Sequence, residues 1–201
     1  MEFMKLVIGL AGLPLAGKET AGSRLAALLR GDGWTVSQHR FSDILRDTLD
    51  LWGMPHGRAN EQILAQIMQR PGAFPPGILS RAMKHRLMKN AADVGILDGV
   101  RWDTDEAIVR EFPAEGIRSL IVYVSASDDR RYARLVARNR SGEAATTRAQ
   151  FDDLNRQPNE TFIPVIGSRA DVTLVNDHDT IADFERDVEA AYEKFIKPAL
   201  Q

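Results

Sequence analysis

The chain has 201 residues, 44% of them hydrophobic and 27% charged, with a formal net charge of −2. That is enough for one compact domain with a sizeable core, and the near-neutral balance excludes a broad field that would recruit nucleic acid or an acidic membrane. The absence of cysteine excludes a disulfide frame, a thiol nucleophile and a cysteine metal site, and no apolar run approaches the length that crosses a bilayer.

Short β-type apolar runs alternate with longer helical stretches along the chain. Met4 to Leu10 predicts a buried first strand, and Lys18 to Arg30 a helix stopped by Gly31 and Gly33. Trp34 to Phe41 predicts a second strand. Helices are then expected over Ser42–Trp52, Ala59–Arg70 and Gly77–Ala92, the last two divided by the Pro-Gly-rich stretch Pro71 to Pro76. A short strand at Val94–Leu97, a helix at Asp103–Phe112 and an apolar strand at Ile117–Val124 follow. Helical patterns cover Asp128–Arg140 and Thr146–Arg156, Val172–Val175 is a last strand, and Thr180–Ile196 a closing amphipathic helix. Five strands alternating with helices predict an α/β fold, a parallel sheet covered on both faces, which binds ligands at the carboxyl ends of its strands.

Directly after the first predicted strand comes Gly12-Leu-Pro-Leu-Ala-Gly17-Lys18-Glu19-Thr20. It matches G-x-x-x-x-G-K between a strand and a helix, the context this phosphate-binding loop demands. Gly12 and Gly17 allow conformations in which successive N–H groups, through Leu15 and Ala16, turn inward around an anion. The start of the helix adds its partial positive charge, and Lys18 reaches the outer phosphates. The motif ordinarily closes with Ser or Thr, whose hydroxyl helps to hold Mg²⁺; here Glu19 stands in that position, followed by Thr20. A carboxylate is itself a hard oxygen ligand, so Glu19 is a candidate for the metal.

Four further segments stand out. They are Asp43-Ile-Leu-Arg46 after the second strand, Asp98-Gly-Val-Arg101 after the third, Arg131-x-x-Arg134-Leu-x-x-Arg138-x-Arg140, and Ala170-Asp171 followed by Asn176 and Thr180. Together with the phosphate loop, this order resembles the nucleoside-monophosphate-kinase branch of P-loop proteins. The closest likeness is to dephospho-CoA-kinase-like and deoxynucleoside-monophosphate-kinase-like enzymes, including archaeal adenylate-kinase-related proteins. It runs from about Leu6 to Val188, and an acidic residue followed by Thr after the loop lysine is similar to a variant that some deoxynucleotide kinases carry.

The resemblance implies a three-layer P-loop NTPase fold over residues 1–201, with a helical acceptor-binding insertion at about 42–92 and an Arg-rich lid at about 128–157. It implies ATP as donor, Mg²⁺ as cofactor and a small nucleotide-like substrate. Asp43 would orient the attacking oxygen, while Arg46, Arg101 and Arg58 would hold the acceptor phosphate. Asp98 and Glu19 would assist the metal. Arg134, Arg138 and Arg140 would close over the polyphosphate, and Arg138 and Asn176 would also contact the nucleotide. Like charges four apart on a helix are unfavourable, so such an arginine row needs a ligand or neighbouring carboxylates to explain it.

Twenty of the 26 cationic residues are arginine, which suits fork-like gripping of phosphate. The four histidines show no metal-ligand spacing and are read as surface or hydrogen-bonded residues. The expected compartment is the cytoplasm, with Met4 a candidate natural start and neither membrane nor nucleic-acid partner. The expected state is a monomer or small homo-oligomer. Dephospho-CoA remains a rival acceptor, and a nucleotide-binding regulator without turnover the alternative class.

Overall fold

A computed structural model describes residues 4–138 and 145–201 of the chain. Its centre is a five-stranded, wholly parallel sheet made of β1 (Leu6–Ala11), β2 (Val36–Arg40), β3 (Val94–Val100), β4 (Arg118–Ser125) and β5 (Val172–Val175). The strand order is β2-β3-β1-β4-β5. All six residues of the central strand β1 are buried, because a parallel strand in mid-sheet is covered on both faces.

The period-two alternation of β1 divides the core. Leu6, Ile8 and Leu10 face α1 (Lys18–Gly31) and α10 (Ile181–Ala191), packing on Leu25, Leu29, Phe184 and Val188. Val7 and Ala11 face the opposite layer, which holds α2 (Phe41–Leu51), α3 (Arg58–Gln69), α4 (Ile78–Met88) and α5 (Asp103–Glu111). Each fully buried Leu, Ile or Phe contributes roughly 1.5–3 kcal/mol, so the two faces dominate stability. The helices between β2 and β3 share one hydrophobic cluster with α5 and are docked on the sheet.

After β4 come α6 (Asp128–Arg138), α7 (Arg148–Asn155), and two short helices, α8 (Pro158–Thr161) and α9 (Ile163–Ser168). The sequence pattern gave no sign of α8 and α9, which are too short to develop a helical period. The third strand is longer than expected, reaching Val100 with a register irregularity opposite Leu10 and Ala11. The closing helix leaves regular α geometry at Ala191 and continues as a π-type turn, Tyr192–Ile196. The fold is the α/β, three-layer arrangement predicted, and it brings the carboxyl ends of β1, β2 and β3 to one edge.

Candidate active site

The segment from Gly12 to Gly17 wraps from β1 into α1, and its shape is forced by close neighbours. Gly12 has φ 150°, and a Cβ there would lie 2.3 Å from the carbonyl oxygen of Val124 on β4. Gly17 has φ 109°, and a Cβ would meet the Asn176 amide nitrogen at 2.2 Å. Leu15 adopts φ 67°, a left-handed conformation that few side-chain-bearing residues take. Holding it there costs on the order of 1–3 kcal/mol, and such strain gathers where a loop is shaped for a ligand. As N-cap, Gly17 brings no side chain to cap the first-turn N–H groups of α1, the arrangement of an anion-binding helix terminus.

Lys18 folds over this loop, donating to the carbonyls of Gly12 (2.6 Å) and Leu13 (3.1 Å). Burial, reinforced by the nearby Arg101 charge, pulls its pKa down to about 8, while Asp98 and Glu160 act in the opposite sense. Arg131 lowers it further, so charges from β3 and the turn after it, from α6 and from α8 all act on this one amine. Thr20 lies part-exposed in the first turn of α1.

The outer side of the loop is clasped by α6 and by the segment after β5. Asn176 is buried and donates its amide to the Ala16 carbonyl at 2.8 Å. Arg134, expected over the transferred phosphate, directs its guanidinium to the carbonyls of Leu15 (3.2 Å), Ala16 (3.4 Å) and Asn176 (2.8 Å), and to the Asn176 side-chain oxygen at 3.0 Å. Arg131 is only 1% exposed. It donates to the Pro14 carbonyl (3.3 Å), to Asn155 (3.0 Å) and to Asp128 (2.6 Å). These arginines cap carbonyls of the loop, offsetting their partial negative charge. Arg138 is the last described residue of α6, and Arg140 lies outside the described residues.

On the other side, a cleft of about 310 Å³ opens between α1 and the ends of β2 and β3. Its walls include Lys18, Glu19, His39, Arg40, Asp43 and Asp98. Asp43 accepts the backbone N–H of Arg40 at 3.0 Å, capping α2, and lies 3.5 Å from Arg46. Arg46 in turn donates to Glu61 at 2.9 Å. Arg101 pairs with Glu160 of α8, a carboxylate with no exposed side-chain surface. The turn carrying Arg101 is fixed from below by Asp105, which accepts the backbone N–H groups of Arg101 and Trp102, each at 3.1 Å. Burial raises the Asp105 pKa to about 6, against the hydrogen bonds from Ser80 and the two amides. The side chain of Arg58 lies outside what the structure describes.

The residues present fit a hard divalent cation. Asp98 Oδ1 is buried and, among the described residues, has no hydrogen-bond partner. Glu19 approaches from α1, and no group of three or more potential ligands occurs among the described residues. Magnesium is commonly held by one or two carboxylates completed by substrate phosphates, and these two acids would supply that share.

Two residues at the site, Arg40 and Glu160, lay outside the sequence reading, and two others, His39 and Arg131, were read without the place they take. Arg40 precedes the Asp43 motif but belongs to no pattern. His39, set aside with the other histidines, lines the cleft, and its pKa is lowered by burial and by Arg86. Arg131 stood beside the arginine row with no sign of being buried. Glu160 lies 59 residues from its partner Arg101, so no local spacing links them.

No family model matches the chain, and no curated protein matches it in sequence. Among solved structures it is similar to the crystal structure of APE1195, with TM-score 0.55 and 21% identity over 100% of this chain and 99% of that one. It is also similar to the APS kinase CysC of Mycobacterium tuberculosis in complex with AMPPNP and APS, with TM-score 0.54 and 17% identity over 96% and 99%. The fold is P-loop kinase-like. At these identities the likeness is one of architecture, and among the described residues no helix is long and apolar enough to cross a membrane.

Proposed function

We propose that this chain is an ATP-dependent phosphotransferase acting on a small phosphorylated metabolite, with a nucleoside or deoxynucleoside monophosphate the foremost acceptor. The observation that carries the reading is the glycine-shaped loop from Gly12 to Gly17, which leads into the start of α1 with no side-chain cap and has Lys18 folded over it, donating to the Gly12 and Leu13 carbonyls. The Lys18 amine, with a pKa lowered to about 8, is still mostly charged at neutral pH and can hold polyphosphate beside the anion-shaped loop. The similar APS kinase structure, which holds AMPPNP and APS, supports a nucleotide on each side of the transfer.

In this reading the loop amides and Lys18 hold the donor phosphates. An acceptor oxygen attacks the γ-phosphorus, the bond to the β–γ bridging oxygen breaks, and ADP departs with that electron pair. Asp43 orients the acceptor, and Arg101 and Arg46 hold its phosphate. Glu19 and Asp98 would hold Mg²⁺, which neutralises charge on the donor phosphates. Little covalent work falls to the protein, and positioning with charge neutralisation supplies the rate. Arg131, Arg134 and Asn176 act at one remove, keeping the loop in its strained shape.

The test is a coupled ADP-release assay with ATP, Mg²⁺ and a panel of ribo- and deoxynucleoside monophosphates, dephospho-CoA, phosphomevalonate and APS. Acceptor-dependent ADP release that disappears in Lys18→Ala is expected. Silence across the whole panel, or undiminished release from Lys18→Ala, refutes the proposal.

A further inference from the structure

Arg40 stands between the two carboxylates assigned above to the metal. Its guanidinium donates to Glu19 at 2.9 Å, and its Nε lies 3.4 Å from Asp98 Oδ2. The parallel register of β2 and β3 sets Arg40 directly opposite Asp98, while Glu19 reaches the same group from the first turn of α1. A guanidinium stays protonated in proteins, so the positive charge is permanent. A guanidinium and a divalent cation compete for this carboxylate pair, because two positive charges at such short range repel each other.

Resting on the phosphotransfer reading, we propose that Arg40 is the resident counter-ion of the Glu19–Asp98 pair and yields that pair to a divalent cation. Arg40 thereby makes cation binding weak in the free protein and conditional on nucleotide phosphates. The exchange is mechanically simple. The Arg40 side chain is 47% exposed, so it can turn outward with little packing to lose. Its backbone stays fixed by the N–H bond to Asp43. The cation inherits a partly prepared site, since the buried Asp98 Oδ1 is already unpaired among the described residues. The displaced guanidinium remains beside the cleft, where its planar fork suits an incoming phosphate.

The experiment titrates Mn²⁺ against the protein and reads free Mn²⁺ by electron paramagnetic resonance, with and without AMPPNP. Wild type, Arg40→Gln, Arg40→Lys and Arg40→Gln/Asp98→Asn are compared. Without nucleotide, Arg40→Gln should bind Mn²⁺ on the order of tenfold more tightly than wild type, since a nearby like charge is gone. Arg40→Lys should stay near wild type, and the added Asp98→Asn should erase the gain. A merely structural Arg40 predicts no gain in affinity. If wild type takes up Mn²⁺ with AMPPNP while Arg40→Gln shows no tighter binding without it, this proposal alone is overturned. If wild type takes up no Mn²⁺ even with AMPPNP, the phosphotransfer reading falls and this proposal falls with it.

Discussion

The side-chain amide of Asn176 donates to the carbonyl of Ala16 at 2.8 Å, joining the segment after the last strand to the phosphate loop 160 residues earlier. The Asn176 side-chain oxygen accepts from Arg134 at 3.0 Å, so this one side chain couples α6, the β5 edge and the loop. The loop's conformation is held from outside, by groups that face away from the cleft. This fits the left-handed Leu15, which surrounding contacts must over-determine to persist.

Removing that support gives the first prediction. Asn176→Ala should destabilise the fold by about 1–3 kcal/mol, the cost of leaving a buried carbonyl and a guanidinium without their partner. It should also weaken AMPPNP binding, because the loop relaxes. Asn176→Asp keeps the acceptor for Arg134 but loses the donor for Ala16, so its nucleotide affinity should fall between those of wild type and Ala. Denaturant titration and calorimetric AMPPNP titration check both; an Ala variant with unchanged affinity would show that the clasp is dispensable.

Lys18 gives a prediction in pH. Its pKa in the free protein is about 8, and a bound polyphosphate favours the charged form, so binding takes up a proton once the free amine is neutral. AMPPNP affinity should therefore be level below pH 7 and fall as pH rises through 8. Lys18→Met should bind far more weakly at every pH and lose this dependence. Calorimetry at pH 7 and pH 9 in buffers of different ionisation enthalpy would detect the proton uptake.

Arg101 and Glu160 give a prediction that separates orientation from binding. Glu160 is buried beneath the guanidinium and is a positioning residue, with no assigned contact to the transferred group. Glu160→Gln keeps the volume but weakens the pair, and should lower kcat by roughly a hundredfold, the scale of a small misplacement of a reacting group. The KM for ATP should change less than kcat, because Lys18 and the loop keep their own hydrogen bonds and lose only the more distant Glu160 charge. A loss confined to KM for ATP, with kcat intact, would contradict the role given to this pair.

Asp105 gives a prediction in stability. Its folded pKa of about 6 lies above the ordinary 3.8, so folding disfavours the charged form. The sign follows directly: the unfolded chain releases the proton first, and stability falls as pH rises from about 4 to about 6. Asp105 is 0% exposed, and the shift corresponds to roughly 3 kcal/mol of stability lost across that window. Asp105→Asn lacks this titration, so the variant should gain on wild type as pH rises. Paired denaturation curves at pH 4.5 and 7.5 would isolate the difference, since the other groups titrate in both proteins.

Much of this was written in consecutive residues. The Gly12–Lys18 segment, the buried first strand before it and the helix after it are local features, set by glycine conformations and by residue periodicity, and they appear in the structure with boundaries shifted by a residue or two. The same holds for four of the five strands, while the third runs three residues further than expected and takes in Asp98. What the sequence could not specify is which distant groups meet. Arg40 faces Asp98 because β2 pairs with β3 in one particular register, and a register is a property of two strands together. Glu160 reaches Arg101 from a four-residue helix, too short to leave a periodic trace. Arg131 and Arg134 read along the chain as cations on a helix, and only the docking of α6 against the loop turns them toward backbone carbonyls. Local chemistry fixes the elements and the loop, whereas the partner of each charged side chain depends on strand order and helix docking, which bring together residues far apart in the chain.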